Sequence, residues 1–350
     1  METDLTAADA SLVSSYAVNA VAWASANGLL RTDDTGRIHP KTNAARAEVA
    51  YMLYRHLCNS DVPSGDTPQV FMTTDISSEG LMAVYKALNW TPTGNVAVKL
   101  STGEPPAGNY LDPALIADVA HEVNGTVVEC NTAYGGSRAN TATHYQVAED
   151  HGFTAIADVV IMDENGSMTL PVTGGTRLTE NYVGAHFADY DSFLVLSHFK
   201  GHSMAGYGGA IKNISIGIGS SEGKSHIHSG GTGGSMWGRD QNAFLEAMGE
   251  AGKSVVDALD GQIVYINVMN RLSVDCDCDG NPAEPDMRDI GILASYDPVA
   301  LDQACVDLVY AAGDGASLIQ RIESRNGIHT IEHAAEIGLG SREYLLVNID

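Results

Sequence analysis

From residue 69 onward, short apolar runs rich in Val and Ile alternate with stretches whose apolar residues recur at helical spacing. That alternation is the habit of a parallel sheet covered by helices. The runs predict strands near 69–73, 95–100, 126–130, 192–197, 262–269, 290–294 and 343–349. Helices are expected between them near 77–89, 112–124, 139–151, 239–259, 298–312 and 329–338. Asp112-Pro113 and Asp297-Pro298 each set an N-cap acid before a proline at the first helical position, which places two of those starts. Residues 158–180, with Asn165-Gly166 and Gly174-Gly175, read as a hairpin insertion. The expected fold class is α/β, a mostly parallel sheet with helices on both faces, preceded by a small helical segment.

That segment, residues 12–58, shows two helical patterns around the turn Asp33-Asp34-Thr35-Gly36. On its residues alone it reads as a two-helix cap. Its sequence AVNAVAWASANGLL, then GRIHP, then NAARAEVAYMLYRHL resembles one S-layer homology repeat, the module by which many bacterial surface proteins hold wall polysaccharide. Arg46-Ala47-Glu48 falls on that family's Thr-Arg-Ala-Glu motif, with Ala45 in place of Thr. The resemblance implies cell-wall polysaccharide as a partner of residues 1–62. DVPSGDTP, residues 61–68, reads as a linker, giving domains of 1–62 and 69–350.

Charge narrows the partners. The 350 residues hold 19 Lys and Arg against 44 Asp and Glu, a formal net charge of −25. A surface this acidic repels polyphosphates and anionic lipids, so nucleic acid is not an expected partner. No apolar run approaches the roughly 18–20 residues that span a bilayer, so no membrane span is expected. The N-terminus METDLTAADA lacks the basic and apolar segments of a signal peptide. The expected location is therefore the cell surface or wall if a signal peptide has been removed, or the cytoplasm otherwise. Five cysteines, Cys58, Cys130, Cys276, Cys278 and Cys305, are too few and too odd in number for a disulfide framework.

Candidate chemistry lies in the loops after the strands, which collect at the carboxyl edge of an open parallel sheet. His198 and His202 flank Lys200, and His226-Ile227-His228 is read as an extended segment with two imidazoles on one side. Imidazoles with the thiols of Cys276 and Cys278 suit zinc, iron or nickel more than calcium. The candidate metal ligands are therefore Cys276, Cys278, His198, His202, His226 and His228. Gly201, Gly206, Gly208 and Gly209 equally let backbone N–H groups approach an anion, with Lys200 and Lys212 supplying charge. Asp275, Asp277, Asp279, Gly280 and Asp286 fall on positions of a calcium-loop template, but Pro282 interrupts it and no helical pattern precedes it.

The main region resembles domain-of-unknown-function family three-six-two, whose members are often described as uncharacterised iron-sulfur centre proteins. The resemblance rests on VKLSTGEPP, VECNTAYGGSR, SHFKGHSMAGYGGAIKN, DCDC, DIGILASYDPVALDQACVDL and IGLGSREY, with Ser101 where a His is common. Many members carry a ferredoxin-like insertion after the segment matching SEGKSHIHS; here that place holds GGTGGSMWG. Five cysteines cannot supply the eight thiolates of a ferredoxin-type pair of four-iron clusters, so none is expected. The candidate binding residues are Lys99, Asn131, Thr132, Arg138, Gly208, Gly209 and Asn213, with Lys200, Lys212 and Glu104 as candidate catalytic groups. The expected function is binding of a metal ion or a small anionic molecule, with redox or metal-dependent catalysis, or else non-catalytic wall association through the N-terminal repeat.

Overall fold

The computed structural model describes residues 67–350 apart from 234, 238 and 239, together with residues 8, 9, 13, 21, 37 and 38. The S-layer-like reading of residues 1–62 otherwise lies outside the described residues. The chain divides into two units, Met1–Thr67 and Pro68–Asp350.

The second unit begins with β1 (Gln69–Thr73), α1 (Ser78–Ala87), β2 (Val96–Lys99), α2 (Pro113–Glu122), β3 (Thr126–Glu129), α3 (Thr141–Asp150) and β4 (Val159–Ile161). A hairpin of β5 (Ser167–Pro171) and β6 (Glu180–Gly184) precedes β7 (Ser192–His198). There follow a short ribbon, β8 (Lys200–His202) with β9 (Gly206–Gly208), then α4 (Ala210–Lys212), a π-helical turn at Asn213–Gly217, and α5 (Ser221–His228). The chain ends with α6 (Gln241–Leu259), β10 (Ile263–Met269), β11 (Gly291–Ser295), α7 (Pro298–Ala311), α8 (Ala316–Ser324), α9 (Ile328–Glu336) and β12 (Leu345–Asn348).

Eight strands form one sheet in the order β12-β1-β11-β10-β7-β2-β3-β4. Only β11 runs against the others, pairing antiparallel with both β1 and β10. The sheet is therefore mostly parallel, as the alternation of runs predicts. It is also buried on both faces, because alternate residues of each central strand enter different cores. Phe193 and Val195 of β7, with Ile263 and Tyr265 of β10, pack with residues of α6 to α9. Leu194, Leu196, Val264 and Ile266 pack on the other face against Leu81, Val84, Ile116 and Val119 of α1 and α2.

From residue 69 onward every predicted strand and helix is present, with ends displaced by at most two residues, whereas the two helical patterns of residues 12–58 lie outside the described residues. The Asp-Pro starts behave as expected: Asp112 accepts from Ala114 N at 2.9 Å, and Asp297 accepts from Val299 N at 2.8 Å. Two segments differ. Residues 159–161 join the main sheet beside β3, and the hairpin itself occupies 167–184. Residues 210–228 are largely helical, so His226 and His228 lie two apart on α5, about 200° around it, rather than on one side of an extended segment.

Glu250 of α6 fastens the hairpin loop to this frame. Fully buried, its carboxylate accepts from Thr176 N at 2.7 Å, Arg177 N at 2.9 Å and Leu178 N at 2.7 Å, with His333 Nε2 at 3.1 Å. Burial alone would raise its pKa, but His333 and the three amides outweigh burial and hold it at about 2. A depressed carboxylate stabilises the fold above its unfolded pKa, and that contribution disappears as pH falls through the folded value. Urea unfolding is expected to show stability declining from about pH 4.5 toward pH 2. Glu250→Gln should flatten that decline and cost roughly 2–3 kcal/mol at pH 7.

Candidate functional site

The sheet order reverses between β2 and β7. From β2 the chain steps outward through β3 and β4, whereas from β7 it steps the other way to β10. The carboxyl ends of β2 and β7 therefore border a crevice not covered by either crossover, the usual place for a ligand in an open α/β sheet. Lys99 is the last residue of β2 and His198 the last of β7. Asn213, in the π-helical turn, bridges the two strands. Its Nδ2 donates to Leu196 O and Ser197 Oγ, both at 3.0 Å, and its Oδ1 accepts from Lys99 Nζ at 3.0 Å.

A cavity of about 100 Å³ lies at this crevice, and five basic side chains line it: Lys99, Arg138, Lys200, Lys212 and Lys224. The carboxylates in its wall, Glu129 and Asp277, are already paired. Arg138 Nη1 donates to Glu129 Oε1 at 2.9 Å, and Lys200 Nζ lies 2.6 Å from Asp277 Oδ1. Lys99 and Lys224 spend their ammonium groups on carbonyls and an amide, including Lys224 Nζ on Gly219 O at 2.6 Å. The Lys212 ammonium makes neither a hydrogen bond nor an ion pair with any described residue, although its backbone carbonyl accepts from Ser215 Oγ at 3.4 Å.

Electrostatics follow from this crowding. Burial brings Lys99 down to about 8, against the attraction of Glu129. Burial, reinforced by repulsion from Lys99, Arg138 and Lys224, brings Lys212 to about 8. Burial would raise Glu129 and Asp277, yet their partners prevail. Arg138, His144 and Lys99 hold Glu129 well below the usual carboxylate range, and His198 and Lys200 hold Asp277 at about 2. Glu129 also accepts from Thr102 N at 2.9 Å and Thr102 Oγ1 at 2.6 Å, so its oxygens are satisfied.

The glycine-rich segment serves packing. A Cβ on Gly209 would lie 2.3 Å from Asp302 Oδ1, and one on Gly201 would lie 2.3 Å from Val274 O. The amides opening α4, Ala210 N and Ile211 N, already donate to Asp302 at 2.7 and 3.0 Å. An internal carboxylate thus takes these helix-start amides, and side-chain cations supply the positive field.

Of the candidate residues, Lys99, Thr132, Arg138, His198, Lys200, Gly208, Gly209, Lys212, Asn213, Cys276 and Cys278 border this cavity. Glu104 borders a neighbouring cleft of about 300 Å³ with His202 and His228, and ties Arg138 Nε at 3.2 Å. Asn131 points its polar atoms to Thr141 and His144 and is absent from the cavity wall. Among the charged lining residues, Glu129 and Lys224 are not singled out by the sequence, and Asp277 enters it only as a position of the calcium-loop template. Glu129 carried one signal, a charged residue ending an apolar strand at the functional edge of the sheet.

Of the six candidate metal ligands, the described structure groups three. A ring nitrogen of His202 lies within 4.8 Å of the sulfurs of Cys276 and Cys278. Those two sulfurs are joined as a disulfide, a pairing the cysteine count did not anticipate, while Cys130 and Cys305 are free and buried. His198 is committed elsewhere, with Nε2 at 2.8 Å from Asn270 O and Nδ1 at 3.2 Å from Asp277. His228 stacks on Phe244 with Nδ1 at 2.6 Å from Lys224 O, and His226 packs against Tyr182. His202 Nδ1 accepts from Met204 N and Ala205 N, which leaves Nε2 as the protonated nitrogen. The acids of the calcium template diverge: Asp275 pairs with Arg321 at 2.9 Å, Asp279 turns to Asn281 N, and Asp286 accepts from Ser317. Among the described residues no helix is long and apolar enough to cross a membrane.

No curated protein matches the chain. Among solved structures it is similar to the lactate racemase apoprotein from Thermoanaerobacterium thermosaccharolyticum, at 14% identity and a TM-score of 0.35, over 59% of this chain and 52% of that one. It is also similar to a Thermotoga maritima protein from a structural genomics consortium, at 13% identity and a TM-score of 0.38, over 65% of this chain and 57% of that one. The chain thus spans little more than half the length of either. The profile of the domain of unknown function DUF362 matches residues 96–307, more than half of the chain, and the chain belongs to that family.

Proposed function

We propose that the α/β domain binds a small anion, a carboxylate or phosphate group, in the cationic cavity between β2 and β7. The observation that carries this reading is Lys212, a half-buried residue whose ammonium no described side chain or carbonyl partners, in a wall shared with three other lysines and an arginine. An unpaired cation held among like charges destabilises a fold, and an anionic ligand would relieve that cost.

Sulfate is the appropriate probe, because it stays dianionic across the relevant pH range. Calorimetric titration of the full chain should show binding near neutral pH that weakens as pH rises through about 8, where Lys99 and Lys212 lose their charge. Lys212→Ala should weaken sulfate binding roughly tenfold or more. The same variant should unfold at equal or higher temperature than the parent without sulfate, because it removes a repelled cation. Unchanged sulfate affinity in Lys212→Ala would contradict the reading.

A second reading is favoured by the grouping of His202, Cys276 and Cys278. Once the disulfide is reduced, these side chains would hold a soft divalent ion such as zinc, iron or nickel. To bind through Nε2, His202 would have to move its proton to Nδ1 and give up the amides of Met204 and Ala205 there. Dialysis of reduced protein against zinc is expected to leave one ion per chain, and none in the Cys276→Ser, Cys278→Ser double variant. Equal zinc in both would remove this reading.

A further inference from the structure

We propose that Cys276–Cys278 is a reversible two-electron redox site, reduced by a dithiol that enters through the cleft beside Glu104 and His228. This goes beyond the anion reading and does not depend on it.

A crosslink between residues two apart removes little conformational freedom from the unfolded chain, so its stabilising value is small. The loop that carries it is also held by other means. Asp277 is fixed by Lys200 and His198, its carbonyl accepts from Glu104 N at 2.8 Å, and Asp275 is fixed by Arg321. Ser273 Oγ donates to Ala283 O at 2.6 Å, closing the loop from its other end. Opening the disulfide therefore leaves the backbone anchored on both sides. A structural staple is redundant here, which leaves chemistry as the use of the bond.

Access and surroundings fit that use. Both cysteines are half-buried and border two spaces at once, the cationic cavity and the wider cleft. Cys130 and Cys305 are fully buried, so neither competes as a partner in exchange. Cys276 Sγ already accepts from Cys278 N at 3.3 Å, and a ring nitrogen of His202 lies within 4.8 Å of both sulfurs. Lys200, Lys212 and Arg138 share the same wall. Sulfur that takes up negative charge on reduction therefore finds donors and cations in place.

The step balances as ordinary thiol–disulfide exchange. A thiolate of the dithiol attacks one sulfur, the Cys276–Cys278 bond breaks, and the departing sulfur takes a proton from solvent. The second thiol of the reductant then attacks the mixed disulfide, freeing the other protein thiol and leaving the reductant as a disulfide. Two electrons and two protons pass to the protein.

The test uses the oxidised full chain in a Cys58→Ser background, without denaturant, with dithiothreitol as the dithiol. Thiol counting with peptide mapping is expected to show two new thiols per chain at Cys276 and Cys278, which disappear again on adding oxidised dithiothreitol. The Cys276→Ser, Cys278→Ser double variant should show neither change whatever its affinity for sulfate, so this proposal and the anion reading fail on separate readouts. A bond that stays closed until the protein is unfolded, or two thiols that stay free after air oxidation of the folded chain, would overturn it.

Discussion

Concentrated positive charge at the β2–β7 switch point is the constraint around which this domain is arranged. Five of the chain's 19 basic residues line one cavity, in a protein whose formal charge is −25. Desolvating those cations is costly, and the fold offsets only part of the cost. Glu129 neutralises Arg138 and Asp277 neutralises Lys200, and Glu129 is further held by His144 and Thr102 and Asp277 by His198. What remains on Lys99, Lys212 and Lys224 is positive charge with no carboxylate within ion-pair distance among the described residues.

The same arrangement couples the cavity to its neighbour. Asp277 sits between the two bonded cysteines in sequence and holds Lys200 in space, so one short loop closes the cationic cavity and presents the disulfide. Asn213 performs the matching task on the opposite wall by bridging Lys99 to Leu196 and Ser197. Asp302 fixes the start of α4, and with it the backbone leading to Lys212 and Asn213. Burial lifts Asp302 to about 6 in spite of the amides it accepts from, a sign of how deeply this support is set.

The sheet and its outer helices were legible because Val- and Ile-rich runs and Asp-Pro caps are local signals. The segment from 198 to 228 was less so. Its glycines suggest a loop that cradles an anion with backbone amides, yet Gly209 is required by the close approach of Asp302, ninety residues away in sequence by rough count. SEGKSHIH has little apolar periodicity, so α5 is marked chiefly by its Ser220 cap, which accepts from Gly223 N at 3.1 Å. The residues bordering the site were mostly readable as polar positions following strands. Which of them are already satisfied, and that Lys212 is not, depends on pairings made only in three dimensions. The Cys276–Cys278 bond was likewise beyond a count of cysteines, since adjacency in sequence leaves metal binding and bonding equally open.

The central claim is that the cavity between β2 and β7 is a built anion site. A crystal of the full chain soaked with selenate, measured at the selenium absorption edge, tests it most directly. The account predicts an anomalous peak in that cavity, with selenate oxygens within hydrogen-bond distance of Lys212 Nζ. Selenate bound only at the molecular surface, with the cavity holding water alone, would contradict it.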